Sequence, residues 1–513
     1  MIGIDLDNTI VCYDEVFRRA AVEQGLVPPE AATSKTAIRD QLRAAGQEAR
    51  WTELQGAIYG PRMQEARPFP GVLEFFTACR AAGIPLVIVS HRTPFACLGP
   101  QHDLHAAARD WLARHEFHDP AGIGLPTESV FFEETKEAKL ARIAAVGCTH
   151  FIDDLPELLT HPLFPGDVRR ILFDPSGHHG PLPNADVASS WLHLLAHCVG
   201  PAQRLFGGGN NRVSRIDTAH GPLLLKEYFR HAADPRDRLA AEQGFSRFAW
   251  RHGVHALPQP LACSPRAAVG FYEFIQGEPL LPGAVTAAHI DEAAEFLAEV
   301  NRHRDTAEAA RLPVASEACF SHRDHLACVE RRLTRLGTIR PVSDLHRKAS
   351  AIVVDRLVPT WNRIRARAMT GVASPDAALP AADRVISPSD FGFHNCIVTP
   401  AGLKFIDFEY AGWDDPAKTV CDFFCQPAVP APREHVERFV TTIATVLGGA
   451  GILLDRVVLL LPVYELKWCC IMLNEFLPDG SDRRAFARGE DARAARLVDQ
   501  VHKLDAALAR IDS

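Results

Sequence analysis

The stretch between residues 385 and 409 constrains the fold of this chain more than any other. It contains Asp390, then Asn395 five residues later, and finally Asp407 after two short apolar runs joined by a Pro-Ala-Gly turn. Two apolar runs around such a turn predict a β-hairpin. A carboxylate that accepts a proton, followed by an amide and a second carboxylate that bind a divalent cation, is the set that phosphoryl transfer requires. The order and spacing therefore predict a base and two metal ligands at one site.

A complementary set of residues precedes this stretch. A turn with three glycines leads into an apolar strand, and glycines allow backbone N–H groups to approach phosphate oxygens closely. The next apolar strand carries Lys226, and a helix starting near Asp237 carries Glu242, sixteen residues after the lysine. The predicted nucleotide-binding residues are Gly207, Gly208, Gly209, Asn210, Asn211, Lys226 and Glu242.

The glycine loop, strand lysine and helix glutamate resemble the N-lobe of protein kinases. Residues 200–513 as a whole are similar to the aminoglycoside phosphotransferase and choline kinase-like family. That resemblance implies a bilobal α+β kinase-like domain in which Asp390 is the catalytic base, and Asn395 and Asp407 bind Mg²⁺. Lys226 would hold the α- and β-phosphates of ATP or GTP, and Glu242 would orient Lys226.

The catalytic loop departs from the family pattern. Many members have His-Gly-Asp where this chain has Pro388-Ser389-Asp390. The histidine of those members usually braces the loop and does not react, so the departure leaves the predicted activity in place. We interpret the nearby His394 as a structural residue of the loop.

Acidic and polar residues also follow several apolar strands near the N-terminus. Strand periodicity puts Asp5 and Asp7 on the same side of the first strand, and Ser90 follows the apolar run 84–89. The strand 150–152 ends in Asp153 and Asp154. In an open parallel sheet, ligands bind beyond the carboxyl ends of the strands. With Lys136 or Lys139 from the preceding helix, these residues predict a phosphate and metal site.

Residues 1–199 resemble the haloacid dehalogenase-like (HAD) phosphohydrolases through these four groups of residues. The resemblance implies a Rossmann-like parallel sheet of the α/β class and a small helical cap at 11–67, although an ordinary helical insertion without substrate contact fits that segment equally well. Asp5 would be the nucleophile, Asp7 the general acid/base, and Ser90 the residue that holds the phosphoryl oxygens. The lysine stays open between Lys136 and Lys139. Mg²⁺ would be bound by Asp5, Asp7, Asp153 and Asp154.

Two cues place the boundary between the domains near residue 200. Turn-forming residues fill positions 174–183, an apolar-periodic helix is predicted over 185–199, and Gly200-Pro201 ends it. We therefore predict an N-terminal domain of residues 1–199 and a C-terminal domain of residues 200–513.

Charge and hydropathy narrow the functional class. A net charge of -8 without a basic stripe argues against a nucleic-acid partner. No uninterrupted apolar run approaches the roughly 18 residues of a membrane span, and no signal-peptide pattern opens the chain, so we expect no membrane partner and a cytoplasmic location. The 13 cysteines are scattered, which argues against a zinc finger or a disulfide framework.

These observations favour a bifunctional enzyme. We expect a Mg²⁺-dependent kinase of a small-molecule hydroxyl acceptor joined to a phosphatase of a phosphate monoester, acting on a sugar or related metabolite. One alternative is an antibiotic kinase of the aminoglycoside type with a non-catalytic HAD domain. Another is a non-enzymatic, nucleotide-binding regulatory protein with two degenerate domains. The acceptor, the choice between ATP and GTP, and the oligomeric state stay open.

Overall fold

The computed structural model describes residues 1–28, 34–179, 182–205, 211–231, 234, 236–370 and 372–477, together with residues 497, 500, 503, 504, 507, 508 and 511. The chain forms two compact units. Unit 1 comprises Met1–Arg204, Ser214–Leu225 and Leu261–Tyr272. Unit 2 comprises Leu205–Val213, Lys226–Pro260 and Glu273–Ser513.

The strands of the described residues are short, and most belong to one of two larger sheets. They are β1 Ile2–Ile4, β2 Val11–Cys12, β3 Arg67–Pro68, β4 Leu86–His91, β5 Val130–Glu133, β6 His150–Asp153, β7 Arg169–Phe173, β8 Ala185–Ala188, β9 Ala202–Leu205, β10 Arg212–Thr218, β11 Gly221–Glu227, β12 Pro260–Ser264, β13 Val269–Glu273, β14 Glu278–Pro279, β15 Val385–Ser387, β16 Cys396–Thr399, β17 Gly402–Phe405 and β18 Gly412–Asp414.

The α-helices of the described residues are α1 Asp14–Glu23, α2 Lys35–Ala44, α3 Glu48–Tyr59, α4 Val72–Ala81, α5 Leu104–Arg114, α6 Lys136–Ala145, α7 Pro156–Leu159, α8 Trp191–Cys198, α9 Arg238–Arg251, α10 Ala287–Asn301, α11 His322–Leu336, α12 Asp344–Ile352, α13 Val358–Met369, α14 Pro416–Cys425, α15 Val436–Leu447 and α16 Ala450–Met472. Short 3₁₀ turns connect several of them, among them Phe393–Asn395 just before β16.

Unit 1 contains a six-stranded sheet in the order β5-β4-β1-β6-β7-β8. All its strand pairs are parallel, and the apolar runs predicted as buried strands form its centre. In the register of β1 and β4, Ile4 pairs with Ile88. Asp5 and Ser90 therefore follow neighbouring strands at the same edge of the sheet. The predicted N-terminal parallel sheet is confirmed.

A helical insertion leaves the sheet after β1. It starts at β2, returns at β3, and contains α1, α2 and α3, which pack on one another. Its core is aromatic, with Phe17 stacked on Trp51 at 5.0 Å between ring centres. The predicted helical segment 11–67 is present, and its role as a substrate cap stays a prediction.

The helix predicted over residues 185–199 is wrong in its first part. Residues 185–188 are strand β8, which pairs in parallel with β7, and the helix begins only at Trp191 with Ser190 as its N-cap. The Ser190 side chain accepts a hydrogen bond from the backbone N–H of His193. With two serines and only short apolar runs, this segment fits both the helical and the strand periodicity. Residues 185–188 form a strand because they pair with the edge of the sheet.

Unit 1 also includes most of a second sheet, in the order β12-β13-β11-β10-β9. Apolar side chains of that sheet share one core with residues 1–199; they are Ile216, Leu223, Ala262, Val269 and Phe271. Polar contacts reinforce this packing, since the Arg266 guanidinium lies 2.6 Å from His115 Nδ1. Compact packing therefore does not end at the sequence boundary predicted near residue 200.

Removing residues 1–199 should destabilise the rest of the chain, because it exposes this shared core. Each buried Leu, Ile or Phe side chain contributes about 1.5–3 kcal/mol. We expect a chain that starts at Gly200 to unfold about 10 °C or more below the full chain, and to bind a hydrophobic dye such as ANS. Thermal unfolding checks this, and equal midpoints for the two chains would contradict the shared core.

Unit 2 is mainly helical. Helix α16 packs against α14 and α11, and α10 packs against α15. The hairpin predicted after Asn395 is present as β16 and β17, which pair antiparallel with Thr399 opposite Gly402. Among the described residues, one helical stretch, Ala450–Phe476, is long and apolar enough to cross a membrane. With 56% of its most apolar window buried, it resembles the core helix of a globular domain, so it is weak evidence for a membrane span.

Candidate active sites

The first site lies at the carboxyl end of the parallel sheet in unit 1. Lys139 comes from the first turn of α6, and its Nζ lies 2.6 Å from Asp5 Oδ1 and 2.6 Å from Asp153 Oδ2. All three side chains are buried. Lys136 lies elsewhere: it is exposed and 3.6 Å from Glu157. Between the two lysines left open by the sequence, the structure brings only Lys139 to the carboxylates.

Three carboxylates of this site lie close enough together to bind one cation. One oxygen from each of Asp5, Asp153 and Asp154 lies within 4.8 Å of the others. Burial raises the pKa of Asp5 to about 7 against the opposing charge of Lys139, and the neighbouring Asp153 raises it further. Burial, with the charges of Asp153 and Asp5, also raises the pKa of Asp154 well above its ordinary value. Negative charge in excess of one lysine fits Mg²⁺, for which these oxygens are suitable ligands.

Asp7 is not part of this group of three. Its carboxylate accepts hydrogen bonds from Arg92 Nη1 at 2.7 and 2.9 Å and from the Tyr13 hydroxyl at 2.7 Å. Arg92 and Tyr13 bind the Asp7 carboxylate in this structure, and the metal-ligand role of Asp7 stays a prediction. Its predicted acid/base role is compatible with this position and stays a prediction.

Ser90 lies at the end of β4, as predicted. Its side chain is 1% exposed, and its hydroxyl has no hydrogen-bond partner in the part of the chain that the structure describes. A buried hydroxyl without a partner is uncommon in a folded protein and marks a place where a ligand can bind. This fits the predicted contact of Ser90 with phosphoryl oxygens.

The raised pKa of Asp5 has a consequence for stability without metal. The native state keeps the Asp5 proton up to about pH 7, whereas the unfolded state loses it near its ordinary value of 3.8. The unfolded state thus binds fewer protons in this interval, so this group lowers stability as pH rises from about 4 to 7. We expect Asp5→Asn to raise the thermal midpoint in EDTA, by an amount that grows between pH 4 and 7 and then levels off. An advantage that is constant with pH would contradict this.

The second site lies within unit 2. Lys226, near the end of β11, places its Nζ 2.6 Å from Glu242 Oε2 and 2.6 Å from Asp407 Oδ1. The Tyr228 hydroxyl donates a second hydrogen bond to Glu242 at 2.8 Å. Burial raises the pKa of Glu242 against the opposing charge of Lys226. The lysine, the glutamate and the carboxylate after the hairpin are thus in direct contact, as the order of the motifs predicted.

The loop with Asp390 is held by hydrogen bonds from both sides. The Asn395 amide nitrogen donates to the Asp390 backbone carbonyl at 3.0 Å, which leaves its amide oxygen to bind a metal. The Ser389 N–H donates to Ser387 Oγ at 3.0 Å, and Ser387 Oγ also accepts from the Thr419 hydroxyl at 2.9 Å. Ser387 therefore braces the loop, which lacks the histidine that many relatives have there.

Asp390 is prepared to accept a proton. His394 Nε2 lies 3.4 Å from Asp390 Oδ1. Desolvation favours the neutral acid, but the hydrogen bond and charge of His394, with the charges of Lys467 and Lys418, outweigh it and hold the pKa of Asp390 below its ordinary value. Asp390 is therefore a carboxylate at neutral pH. His394 contacts it from the side, in agreement with its interpretation as a structural residue.

The structure describes only the last residue of the predicted glycine loop. Gly207, Gly208, Gly209 and Asn210 lie outside the described residues. Asn211 is buried and donates from Nδ2 to Glu409 Oε2 at 2.5 Å, while its Oδ1 accepts from the Phe229 N–H at 3.3 Å. The Asn211 side chain thus ties the start of β10 to the segment after the hairpin.

Asp390 lines a large cavity within unit 2, with a volume of about 1380 Å³. Ser389, Trp468 and Ile471 are among the other lining residues. The lining contains six acidic side chains, Asp234, Asp237, Glu317, Asp390, Glu409 and Asp422, and six arginines and lysines, Arg236, Arg311, Arg332, Arg335, Lys418 and Lys467. Its formal charge is therefore balanced.

Comparison with known proteins shows a similarity in the C-terminal part of the chain. Residues 202–439 match the phosphotransferase enzyme family. The matched segment includes Lys226, Glu242, Asp390, Asn395 and Asp407, and supports a phosphotransferase activity with a kinase-like fold. It covers less than half of the chain and excludes residues 1–201, so the phosphohydrolase resemblance of that region stays a prediction. No curated protein matches the chain.

Several solved kinase structures are similar to part of this chain. A choline kinase from Cryptosporidium parvum Iowa II is 13% identical, and the match covers 62% of this chain and 96% of that one with a TM-score of 0.40. For a choline/ethanolamine kinase family protein from Mesorhizobium loti these values are 20%, 62%, 94% and 0.38. For a spectinomycin phosphotransferase in complex with ADP and spectinomycin they are 13%, 62%, 97% and 0.40. The phosphotransferase activity and the kinase-like fold stated for the C-terminal part rest on the family match.

Some site residues had no role in the sequence analysis. Arg92 lies two residues after Ser90, so strand alternation was a usable signal for its position. Tyr13 and Tyr228 belong to no motif, and their contacts arise only from the packing of the insertion and of the strand before Tyr228. Nothing in the sequence indicated that Ser387 braces the loop.

Proposed function

We propose that this chain is a small-molecule kinase that transfers the γ-phosphoryl group of ATP to an acceptor hydroxyl, and that its N-terminal part is a phosphohydrolase. The observation that carries the kinase proposal is the contact of Lys226 with both Glu242 and Asp407, each at 2.6 Å. A lysine in this position neutralises nucleotide phosphates, and Asp407 with Asn395 would hold Mg²⁺. The metal, when bound, neutralises charge on the phosphates.

In the kinase reaction, the residues of this chain mainly position the acceptor and the nucleotide and polarise the reacting groups. Asp390, ionised at neutral pH, accepts the proton of the acceptor hydroxyl as that oxygen attacks the γ-phosphorus. The bond to the nucleotide's bridging oxygen breaks, and the nucleoside diphosphate leaves. Lys226 is kept in place by Glu242, and the hydrogen bonds of Ser387 and Asn395 fix the loop of Asp390. Much of the rate enhancement then comes from orientation.

The phosphohydrolase proposal rests on the first site. Asp5 lies at the end of β1, where its carboxylate would attack a phosphoryl group to form a phosphoaspartate that water then hydrolyses. Ser90 supplies an unpartnered hydroxyl and Lys139 supplies positive charge. Mg²⁺ would be held by Asp5, Asp153 and Asp154, and would offset the negative charge of the approaching phosphate.

The cavity beside Asp390 bears on the acceptor. An antibiotic kinase for polycationic aminoglycosides would be favoured by an acidic lining, whereas this lining is balanced, with Lys418 and Lys467 near the catalytic base. The balance favours a neutral, polyhydroxylated or zwitterionic acceptor, such as a sugar derivative. Trp468 and Ile471 offer apolar surface for the carbon face of such a molecule.

Titration of the full chain with ATP in the presence of Mg²⁺ tests the nucleotide site directly. We expect Lys226→Met to weaken ATP binding by about tenfold or more, because it removes a charge-assisted contact with the phosphates. Lys348→Met, which changes an exposed lysine of α12, is the matched control and should bind ATP like the wild type. Equal affinities of all three proteins would refute the role of Lys226, and no ATP binding by the wild type would refute the kinase proposal.

A further inference from the structure

The helical insertion of unit 1 brings one lysine, Lys35, toward the phosphohydrolase site. Lys35 is the first residue of α2, and its backbone N–H donates to Asp14 Oδ1 at 2.8 Å. Its Nζ lies 5.5 Å from the centre of the Tyr59 ring and 5.8 Å from that of Phe17. Burial lowers its pKa, but Tyr59 and the charges of Asp154 and Asp7 together raise it above the ordinary value. The Tyr59 ring lies 5.0 Å from the ring of Tyr13, whose hydroxyl donates to Asp7, so the packing of the insertion places Lys35 near the catalytic carboxylates.

The other two cations of the site are already occupied. Lys139 bridges Asp5 and Asp153. Arg92 binds both oxygens of Asp7 and donates to the backbone carbonyls of Leu104 and Tyr59. Lys35 forms no ion pair within 4.0 Å in the described part of the chain, where aromatic rings hold it instead. An amine kept in place by rings and not by a carboxylate is available to an incoming anion.

Two buried hydroxyl groups at the same end of the sheet also require a hydrogen-bond partner. Ser90 Oγ and Thr9 Oγ1 are both buried and have no hydrogen-bond partner among the described residues. A phosphoryl group accepts hydrogen bonds on all its terminal oxygens, so it can bind an ammonium and hydroxyl groups together. The set consists of one cation without an ion pair among the described residues, two buried hydroxyls, and three carboxylates that could bind a metal.

We propose that Lys35 is a substrate-binding residue supplied by the insertion, which donates to a terminal oxygen of the phosphoryl group of a phosphate monoester. Ser90 binds another oxygen of the same group. The insertion is therefore part of the phosphate site. This inference rests on the proposed phosphohydrolase, but Lys35-dependent binding of phosphate is measurable without turnover.

The test uses the full chain with Mg²⁺ and two readouts: binding of inorganic phosphate by calorimetry, and hydrolysis of p-nitrophenyl phosphate. Lys35→Met keeps the side-chain stem on the rings and removes the charge, Lys35→Arg keeps the charge, and Lys348→Met is the matched control. We expect Lys35→Met to weaken phosphate binding and raise KM by about tenfold, Lys35→Arg to restore most of both, and Lys348→Met to change neither.

Each outcome decides between the proposals. Hydrolysis by the wild type with unchanged phosphate binding and KM in Lys35→Met overturns the role of Lys35 and leaves the phosphohydrolase standing. Phosphate binding that depends on Lys35, without any hydrolysis, supports the role of Lys35 and argues against a phosphohydrolase. Neither binding nor hydrolysis by the wild type overturns both. A loss in Lys35→Met that Lys35→Arg does not restore indicates a structural role and overturns the binding role.

Discussion

Asp390→Asn should reduce acceptor-dependent ADP formation by about 10²- to 10⁴-fold, with little change in ATP affinity. The substitution keeps the size of the side chain but removes the group that accepts the hydroxyl proton. The backbone carbonyl of residue 390 still accepts from the Asn395 amide, so the loop should keep its conformation. Initial rates under saturating MgATP and acceptor measure the effect on kcat.

Two controls make this result specific. Asp376→Asn makes the same chemical change at an exposed carboxylate that pairs with Arg323, and should leave the rate unchanged. Hydrolysis of p-nitrophenyl phosphate by the Asp390 variant should equal that of the wild type, since Asp5 and its partners are untouched. A kinase rate in Asp390→Asn within threefold of the wild type would rule out Asp390 as the base.

Asp5→Asn should abolish hydrolysis of phosphate monoesters, with a fall in kcat of about 10⁴-fold or more. The amide is a poor nucleophile, and the change also removes one of the three carboxylates that would hold Mg²⁺. Hydrolysis of p-nitrophenyl phosphate with Mg²⁺ measures the loss. Kinase turnover of this variant should stay at the wild-type level.

The matched control is Asp167→Asn, which alters an exposed carboxylate of the same unit. It should hydrolyse the monoester at the wild-type rate. If Asp5→Asn and the wild type hydrolyse it equally, Asp5 is not the nucleophile. If neither protein hydrolyses it, while both retain kinase turnover, the phosphohydrolase proposal falls and the kinase proposal stands.

The strands and the order of the motifs could be predicted because their signals are local. The apolar runs before Asp5, Ser90 and Asp153 became neighbouring parallel strands, and the hairpin between Asn395 and Asp407 formed where its turn predicted. In both sites, residues that are far apart in sequence come into contact, because they lie at the ends of neighbouring strands and on a helix that packs beside those ends. Pattern and spacing carry that information.

Contacts decided by packing were not predictable in the same way. No sequence signal indicated that Arg92 and Tyr13 donate hydrogen bonds to the Asp7 carboxylate. Lys136 and Lys139 lie one helical turn apart, and only the docking of α6 shows that Lys139 faces the carboxylates. The short segment at 185–188 became a strand because a sheet edge was available to pair with it.

The compact units explain why a single boundary in the sequence does not describe how the chain packs. The turn-forming residues near Gly200 correctly predicted the end of a helix, which lies at Cys198. The strands that follow, however, bury Ile216, Leu223 and Phe271 in the core of unit 1. Turn residues indicate where the backbone changes direction, but they carry no information about which side chains later share a core. Experiments on the two proposed activities therefore require the full chain.

The most direct test of the central claim is ADP formation by the full chain with MgATP against a panel of sugars, amino alcohols and aminoglycosides. We predict that at least one neutral or zwitterionic hydroxyl acceptor raises the rate well above the acceptor-free background, and that Asp390→Asn loses this increase. If no acceptor raises the rate although MgATP binds, or if the increase survives in Asp390→Asn, the chain does not act as the kinase described by these residues.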